Sequence, residues 1–535
     1  MTPAAATTAP PRAVLCSRGV ALPRDEVPED VLSSLFCVSK RARGHDGRVR
    51  TVRVPIWCAG PQFVYLPRHS GLEYVRHQVS RDALPAPPGP PAPSAPALEF
   101  RGSLRPHQEA AARAFLATER RHPGGGRTRG GVVVLPCGFG KTALGIYLAT
   151  EASAEGGCLV VVHKSFLGKQ WEDAIAKFAP EATVTHLGGR ARRAGGGGGA
   201  RAHFTIATVQ TLTGARAREL REEIARTCVM AIFDEVHHLS ADVFSRAVTE
   251  GTVACRYRLG LTATPDRSDG TQGIFFAHLG PAVYQATRCQ HGDGPELGRD
   301  RADAITSGTL DRPGRGVQGV VQWVTTGKSC PVQPVYRTVA GRRTRDFVST
   351  MTRLVGHEPR DRVVVTHVTA SFDAGRKILV LSERRAHLER LLAKISDARP
   401  VARIGLYVGG TKQAELDRVA ATCDIMLCTV SMAAEGLDCP RMDTLVFATP
   451  ATASIEQCVG RVQRRAHACL VIDIVDECMA HRSSARRRVY ESLGLRGVNS
   501  GAHAAREQPA PRFVDDDDDD NDDDDDGDDG GHGDA

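Results

Sequence analysis

Leu135-Pro136-Cys137-Gly138-Phe139-Gly140-Lys141-Thr142 follows the apolar run Val132–Leu135 without a break and opens the amphipathic stretch Thr142–Ala152. A buried strand, a glycine loop and a helix in that order make an anion cradle. Gly138 and Gly140 let backbone N–H groups approach phosphate oxygens, and the helix start adds positive potential. In such a loop Lys141 neutralises β- and γ-phosphate oxygens and the Thr142 hydroxyl ligates Mg2+, with Pro136, Cys137 and Phe139 completing the turn. The strict pattern has a glycine where this chain has Leu135. A chance glycine-rich turn is therefore the competing reading, and the rest of the chain has to decide.

Further along, the run Val229–Phe233 leads directly into Asp234-Glu235-Val236-His237-His238. An acid at the carboxyl end of a buried strand beside a phosphate loop is placed to hold the shell of Mg2+, and its neighbour Glu235 to take a proton from water. Adjacent histidines point in different directions, so His237 and His238 suit coupling or structure better than metal ligation.

Short apolar runs alternate with helical patterns on both sides of these motifs. Cys158–Val162, Phe204–Thr208 and Tyr257–Thr262 belong to a first series, and Ile378–Ser382, Ile404–Val408, Ile425–Thr429, Thr444–Ala448 and Cys469–Ile474 to a second. Continuous β-branched runs separated by helices predict parallel sheets covered on both faces, hence two α/β lobes. Ligands of such sheets bind beyond the carboxyl ends of the strands.

At 535 residues the chain is too long for one core. Residues 515–534 hold 14 of the 62 acidic residues; the other 48 face 69 Lys and Arg, so residues 1–514 carry +21. A basic body suits a polyanionic partner, although 60 of the 69 are arginine and a coding bias explains that equally well. The acidic run cannot bury apolar surface and is expected to be disordered. Seven prolines in Leu84–Leu98 mark a stiff linker. Fifteen scattered cysteines with no C-x-x-C pair point to reduced thiols in a reducing, intracellular compartment. No apolar run is long enough to span a membrane.

Taken together, the blocks resemble the motifs of helicase superfamily 2, in the branch of the XPB-type helicases and the transcription-associated helicases of large DNA viruses. LRPHQ (Leu104–Gln108) is similar to the family's LRPYQ element, which sets Arg105 and Gln108 against the nucleotide, the glutamine at the adenine edge. LPCGFGKT resembles motif I and DEVHH motif II. Gly260–Pro265 resembles motif III, whose Thr262 and Thr264, with His238, are implied to couple the ATP site to nucleic acid. VVHKSFLGKQW (Val161–Trp171) resembles motif Ia and ATVQTL (Ala207–Leu212) the TxQ segment; they imply nucleic-acid contacts by His163, Lys164, Thr208 and Gln210. Gly375–Ile395 resembles motif IV. Thr429–Asp438 resembles motif V, with Thr429 toward the nucleic-acid backbone and Asp438 toward the ribose. Gln457–Arg464 resembles motif VI; Gln457, Arg461 and Arg464 stand at i, i+4 and i+7, on one helical face, and would close on the γ-phosphate. The superfamily tolerates the missing glycine at Leu135.

The resemblance implies two tandem RecA-like lobes, with ATP and Mg2+ between them. The expected layout is an N-terminal module over 1–83, the linker over 84–100, lobe 1 over 101–285, a connection with insertions over 286–345, lobe 2 over 346–495 and an acidic tail over 496–535. The implied activity is an ATP-dependent helicase or translocase, with DNA favoured over RNA. A double-strand translocase that does not unwind, and an adaptor recruiting a protein partner through the tail, are the competing functions.

Overall fold

A computed structural model describes residues 13–16, 18–43, 49–79, 97–121, 127–136, 138–187, 202–214, 217–238, 252, 255–265, 267, 269–286, 319–326, 332–339, 342–437, 439–451, 454–463 and 469–499. Cys137, Asp438, Arg464 and residues 500–535 of the expected tail lie outside this set; residues 496–499, also expected in the tail, instead belong to the strand Leu495–Asn499.

Lobe 1 is built on β8 (Arg127–Val134), β9 (Gly157–Val162), β10 (Val184–His186), β11 (Phe204–Thr208), β12 (Cys228–Asp234), β13 (Tyr257–Thr262) and β14 (Ala282–Gln285). The order across the sheet is β10-β11-β9-β12-β13-β8-β14, all parallel, with the short β7 (Arg120–Arg121) antiparallel to β8. Every residue of β9, β12 and β13 is buried. That follows from apolar cores on both faces: Val133, Val160, Ile232 and Leu261 point to one side, Val132, Leu159, Ala231 and Phe233 to the other. Three helices matter below: α3 (Pro106–Leu116), α4 (Lys141–Ala152) and α5 (Ser165–Phe178).

The second lobe repeats the plan. Its sheet runs β19 (Ile404–Tyr407), β20 (Ile425–Thr429), β18 (Ile378–Ser382), β21 (Thr444–Phe447), β22 (Cys469–Val475), β15 (Gly319–Thr325) and β23 (Leu495–Asn499). One expected boundary needs correction. VVQWV, assigned to the inter-lobe connection, forms β15 and pairs in parallel with β22 from Gly319↔Cys469 to Thr325↔Val475, so the lobe-2 sheet recruits a strand upstream of residue 346. Buried ion pairs brace this lobe: Arg360 grips Asp476 at 2.8 and 2.9 Å, and Arg486 grips Asp473 at 2.7 Å twice. Asp361, His387 and Ser382 form a hydrogen-bonded chain, each step 3.0 Å. All three are buried, so the chain is a brace between helix and strand rather than a hydrolytic triad.

The N-terminal module holds an antiparallel sheet of β1 (Val14–Cys16), β2 (Gly19–Pro23), β6 (Phe63–Leu66) and β5 (Cys58–Ala59), and a separate ribbon of β3 (Cys37–Arg43) with β4 (Val49–Pro55). It packs on lobe 1: the Arg41 N–H donates to the Asp269 carbonyl at 2.9 Å, and the Ser70 hydroxyl to the Ala277 carbonyl at 3.2 Å. Among the described residues no helix is long and apolar enough to cross a membrane, and the twelve described cysteines are free thiols.

Candidate active site

The glycine loop leaves the carboxyl end of β8 with the Leu135 N–H bonded to the Thr262 carbonyl at 2.9 Å. Gly138 (φ 83°) and Gly140 (φ 79°) both lie in the left-handed region that favours glycine, and Gly140 is the N-cap of α4. A Cβ on Gly140 would sit 2.4 Å from the Gln108 amide nitrogen. The first turn of α3 straps the loop. Gln108 Nε2 donates to the Gly140 carbonyl at 2.9 Å, His107 Nε2 meets the Phe139 carbonyl at 3.0 Å, and Arg105 Nη1 donates to the Gly138 carbonyl at 3.3 Å. Gln108 Oε1 accepts from the Arg105 N–H at 2.8 Å. Gln108 is thus buried, although a helical glutamine read alone favours the surface.

Lys141 projects back from the helix start. Its Nζ donates to the Leu135 carbonyl at 3.3 Å and lies 3.5 Å from Glu235 Oε1. Asp234 closes β12 and is buried; Trp171 Nε1 on α5 donates to its Oδ2 at 2.8 Å. Burial, and then the charge of Glu235, push the Asp234 carboxyl up to about 6, against the Trp171 hydrogen bond and the positive charges of Lys141 and His163. Glu235 has φ 49°, an uncommon conformation for a non-glycine residue, which aims its carboxylate between Lys141 and His237.

Of the two histidines, His237 has a described side chain; the coupling role expected of His238 falls on a side chain outside the described residues. His237 Nδ1 meets the Thr262 hydroxyl at 2.7 Å, and Glu235 Oε2 is 3.4 Å from the same nitrogen. Burial holds His237 below the ordinary histidine range, helped by the charges of Lys141, His163 and Arg267 and opposed by that of Glu235. Gln457 of the second lobe supplies a further partner, Nε2 to Nε2 at 3.3 Å. Thr262 also donates to the Thr264 carbonyl at 2.9 Å, which joins both threonines of this segment to the cluster.

Motif VI is only partly gathered. Gln457 is buried against lobe 1, while Arg461 binds its own lobe, Nε to the Ala433 carbonyl at 2.8 Å and Nη2 to the Ala434 carbonyl. The expected joint projection of 457 and 461 toward the nucleotide is therefore absent in this conformation. Thr429 is the N-cap of the helix Val430–Gly436 and makes no side-chain cap bond.

His163, Lys164, Thr208 and Gln210 line a single cleft of about 1250 Å³ between the lobes, faced by Tyr407, Gly409, Gly410 and Met432. His163 also feels the ATP-side acids: burial and Lys164 lower its pKa, while Asp234 and Glu235 raise it. Sequence reading missed Trp171, His107 and Arg267, whose guanidinium donates to the His237 carbonyl. Trp171 stood inside the quoted motif Ia, but its partner is 63 residues away in sequence.

Two family descriptions match in order along the chain. "Type III restriction enzyme, res subunit" covers residues 101–267 and "Helicase conserved C-terminal domain" residues 361–466. A protein of Acanthamoeba polyphaga mimivirus, named as an ATP-dependent RNA helicase, is 26% identical over 84% of this chain and 78% of its own length. A helicase of frog virus 3 is 25% identical over 77% of this chain and 85% of its own. The DNA 3'-5' helicase XPB of Kineococcus radiotolerans is 36% identical over 34% of this chain and 30% of that protein, so the match spans about a third of the XPB relative. With both helicase segments in order and long viral relatives beside XPB, the chain carries the two domains of a superfamily 2 helicase and resembles the XPB-type and large-DNA-virus branch.

Proposed function

We propose that the chain is an ATP-dependent translocase that moves along or unwinds DNA, serving transcription or replication of a large DNA virus. The observation that carries this reading is the Gln457–His237 contact, which seats a helix of the second lobe on the acid turn facing Lys141. ATP occupies that cleft, its phosphates against Lys141 and the loop N–H groups. Mg2+ fits the donor set: the Thr142 hydroxyl and the Asp234 carboxylate are hard oxygens, and Asp234 is a buried acid raised in pKa, the mark of a carboxylate placed to meet a cation. When bound, the ion neutralises charge on the phosphate oxygens.

Glu235, steadied by Lys141 and His237, takes the proton of the attacking water. Gln457 acts through His237. Arg461 reaches the γ-phosphate by releasing the Ala433 and Ala434 carbonyls, Arg464 joins it there, and Asp438 serves the ribose. Nucleic acid lies in the cleft lined by Lys164 and Gln210, gripped at phosphates.

ATP turnover measured with single-stranded DNA, duplex DNA and RNA at matched salt tests the proposal. DNA should stimulate strongly, and Lys141→Ala should lower turnover by about 10²-fold or more. Turnover that no polymer raises and Lys141→Ala leaves intact would overturn it. The name of the mimivirus relative favours RNA as the second reading, which the RNA arm of the same assay decides.

A further inference from the structure

Between the two family-matched segments lies a surface that the helicase motifs do not use. β16 (Tyr336–Val339) and β17 (Arg342–Arg345) form a two-stranded antiparallel ribbon that belongs to neither lobe sheet. Tyr336 pairs with Arg345 and Thr338 with Arg343, so these four residues share one face. The Arg343 guanidinium lies 4.3 Å from the centre of the Tyr336 ring and that of Arg345 6.0 Å, while Tyr336 as a residue remains 41% exposed. Directly after the ribbon, Phe347 is 40% exposed with Arg482 at 5.4 Å from its ring. Residues 332–355 contain five arginines and one acid, Asp346. Asp346 is occupied in capping, accepting from the Ser349 N–H at 3.1 Å and the Ser349 hydroxyl at 2.8 Å.

The ribbon is anchored rather than loose. The Val335 N–H donates to the Thr350 hydroxyl at 2.8 Å, Asp346 N–H donates to the Val335 carbonyl at 2.7 Å, and Val332 packs on Met351, Leu354 and Met479. Met479 follows the carboxyl end of β22, and Gly409 in the cleft follows the carboxyl end of β19. Both features therefore sit on the carboxyl edge of one parallel sheet, four strand steps apart, or about 20 Å.

Cations flanking an exposed ring, in a segment whose one acid is occupied as a cap, match the chemistry of a nucleic-acid single strand: a base stacks on the ring and its phosphates meet the guanidiniums. A duplex keeps its bases inside, out of the ring's reach. An acidic peptide would use the arginines but gain nothing from the negative face of Tyr336. We propose that the Tyr336–Arg343–Arg345 face is a second nucleic-acid contact, a stacking platform for the single strand leaving the inter-lobe cleft. It rests on the nucleic-acid reading above and adds to it a place and a strandedness.

Fluorescence anisotropy of the full chain with single-stranded oligonucleotides of about 8 and about 25 nucleotides tests it, the shorter filling the cleft alone. Tyr336→Ala should weaken the long oligonucleotide by about 5- to 50-fold and leave the short one unchanged, and Tyr336→Phe should retain binding within about twofold. Joint Arg343→Ala and Arg345→Ala substitution should flatten the salt dependence for the long strand. ATP turnover without nucleic acid should be the same in all variants. Wild-type binding of both oligonucleotides with no effect of Tyr336→Ala overturns the platform alone. Weakening of short and long strands alike also overturns it, as does a ribbon that captures an Asp-rich peptide and not the oligonucleotide. Failure of the wild-type chain to bind either oligonucleotide overturns the nucleic-acid reading itself.

Discussion

Asp234 is held in tension between what the fold favours and what hydrolysis requires. Its folded pKa of about 6 exceeds the 3.8 of an ordinary aspartate, so the folded chain binds this proton more tightly than the unfolded chain does. The sign follows: its contribution to stability is greatest below 3.8 and is lost as pH rises through about 6. Asp234→Asn should then raise the thermal midpoint at pH 8, by about 1–3 kcal/mol in stability, with the gain shrinking below pH 6, while ATP turnover disappears. Calorimetry across that range decides; a variant less stable at pH 8 would contradict it. Trp171 works against the same shift through its indole N–H. Trp171→Phe should move the acid limb of the kcat profile up by about one pH unit, with KM for ATP little changed. An unmoved limb would reduce Trp171 to packing. At this scale Lys141, Asp234 and Glu235 were legible because loop and acid each follow an apolar run. The partners of Trp171 and His237 were not, because the pairings span 63 and 220 residues and no local pattern carries them.

The first turn of α3 is a clasp on the glycine loop, made through backbone carbonyls. Gln108→Ala removes the strap on Gly140 and leaves the loop in more conformations, so KM for ATP should rise about 3- to 10-fold with kcat less affected. Equal losses in both would place Gln108 nearer the reacting atoms. Gly145 shows the same closeness elsewhere: a Cβ there would come within 2.8 Å of the Trp171 ring, so the loop helix is shaped around the indole that holds Asp234. The strands were readable as β-branched runs, since a parallel strand covered on both faces has no polar side to show. Strand order was not. β15 was misassigned because its short apolar run stands in Arg- and Gly-rich sequence, and only pairing with β22, 150 residues on, makes it part of a sheet.

Across the whole molecule, α5 joins two surfaces. Lys164 precedes it and Lys169 and Gln170 line the cleft, while Trp171 on its buried side bonds the acid at the ATP end. Cleft cations are not equal. Lys169 is already paired with Asp173 at 2.9 Å and Glu172 at 3.3 Å, while burial lowers the pKa of Lys164. Lys164→Ala should reduce the slope of log affinity against log salt by about 0.7, and Lys169→Ala by much less. Equal slopes for the two variants would show that the cleft is not the binding track. The composition hinted at such a track through its basic body, but could not tell a groove from scattered arginine.

The N-terminal module reaches deeper than its size suggests. Arg41 holds the Asp269 carbonyl, Asp269 chelates Arg267 through both carboxylate oxygens, and Arg267 grips the carbonyl of His237. A shortened protein beginning after the proline linker would keep every helicase motif and still lose the outermost link of this relay. Its hydrolysis rate, compared with that of the intact chain, is therefore a gauge of how firmly the front end governs the engine.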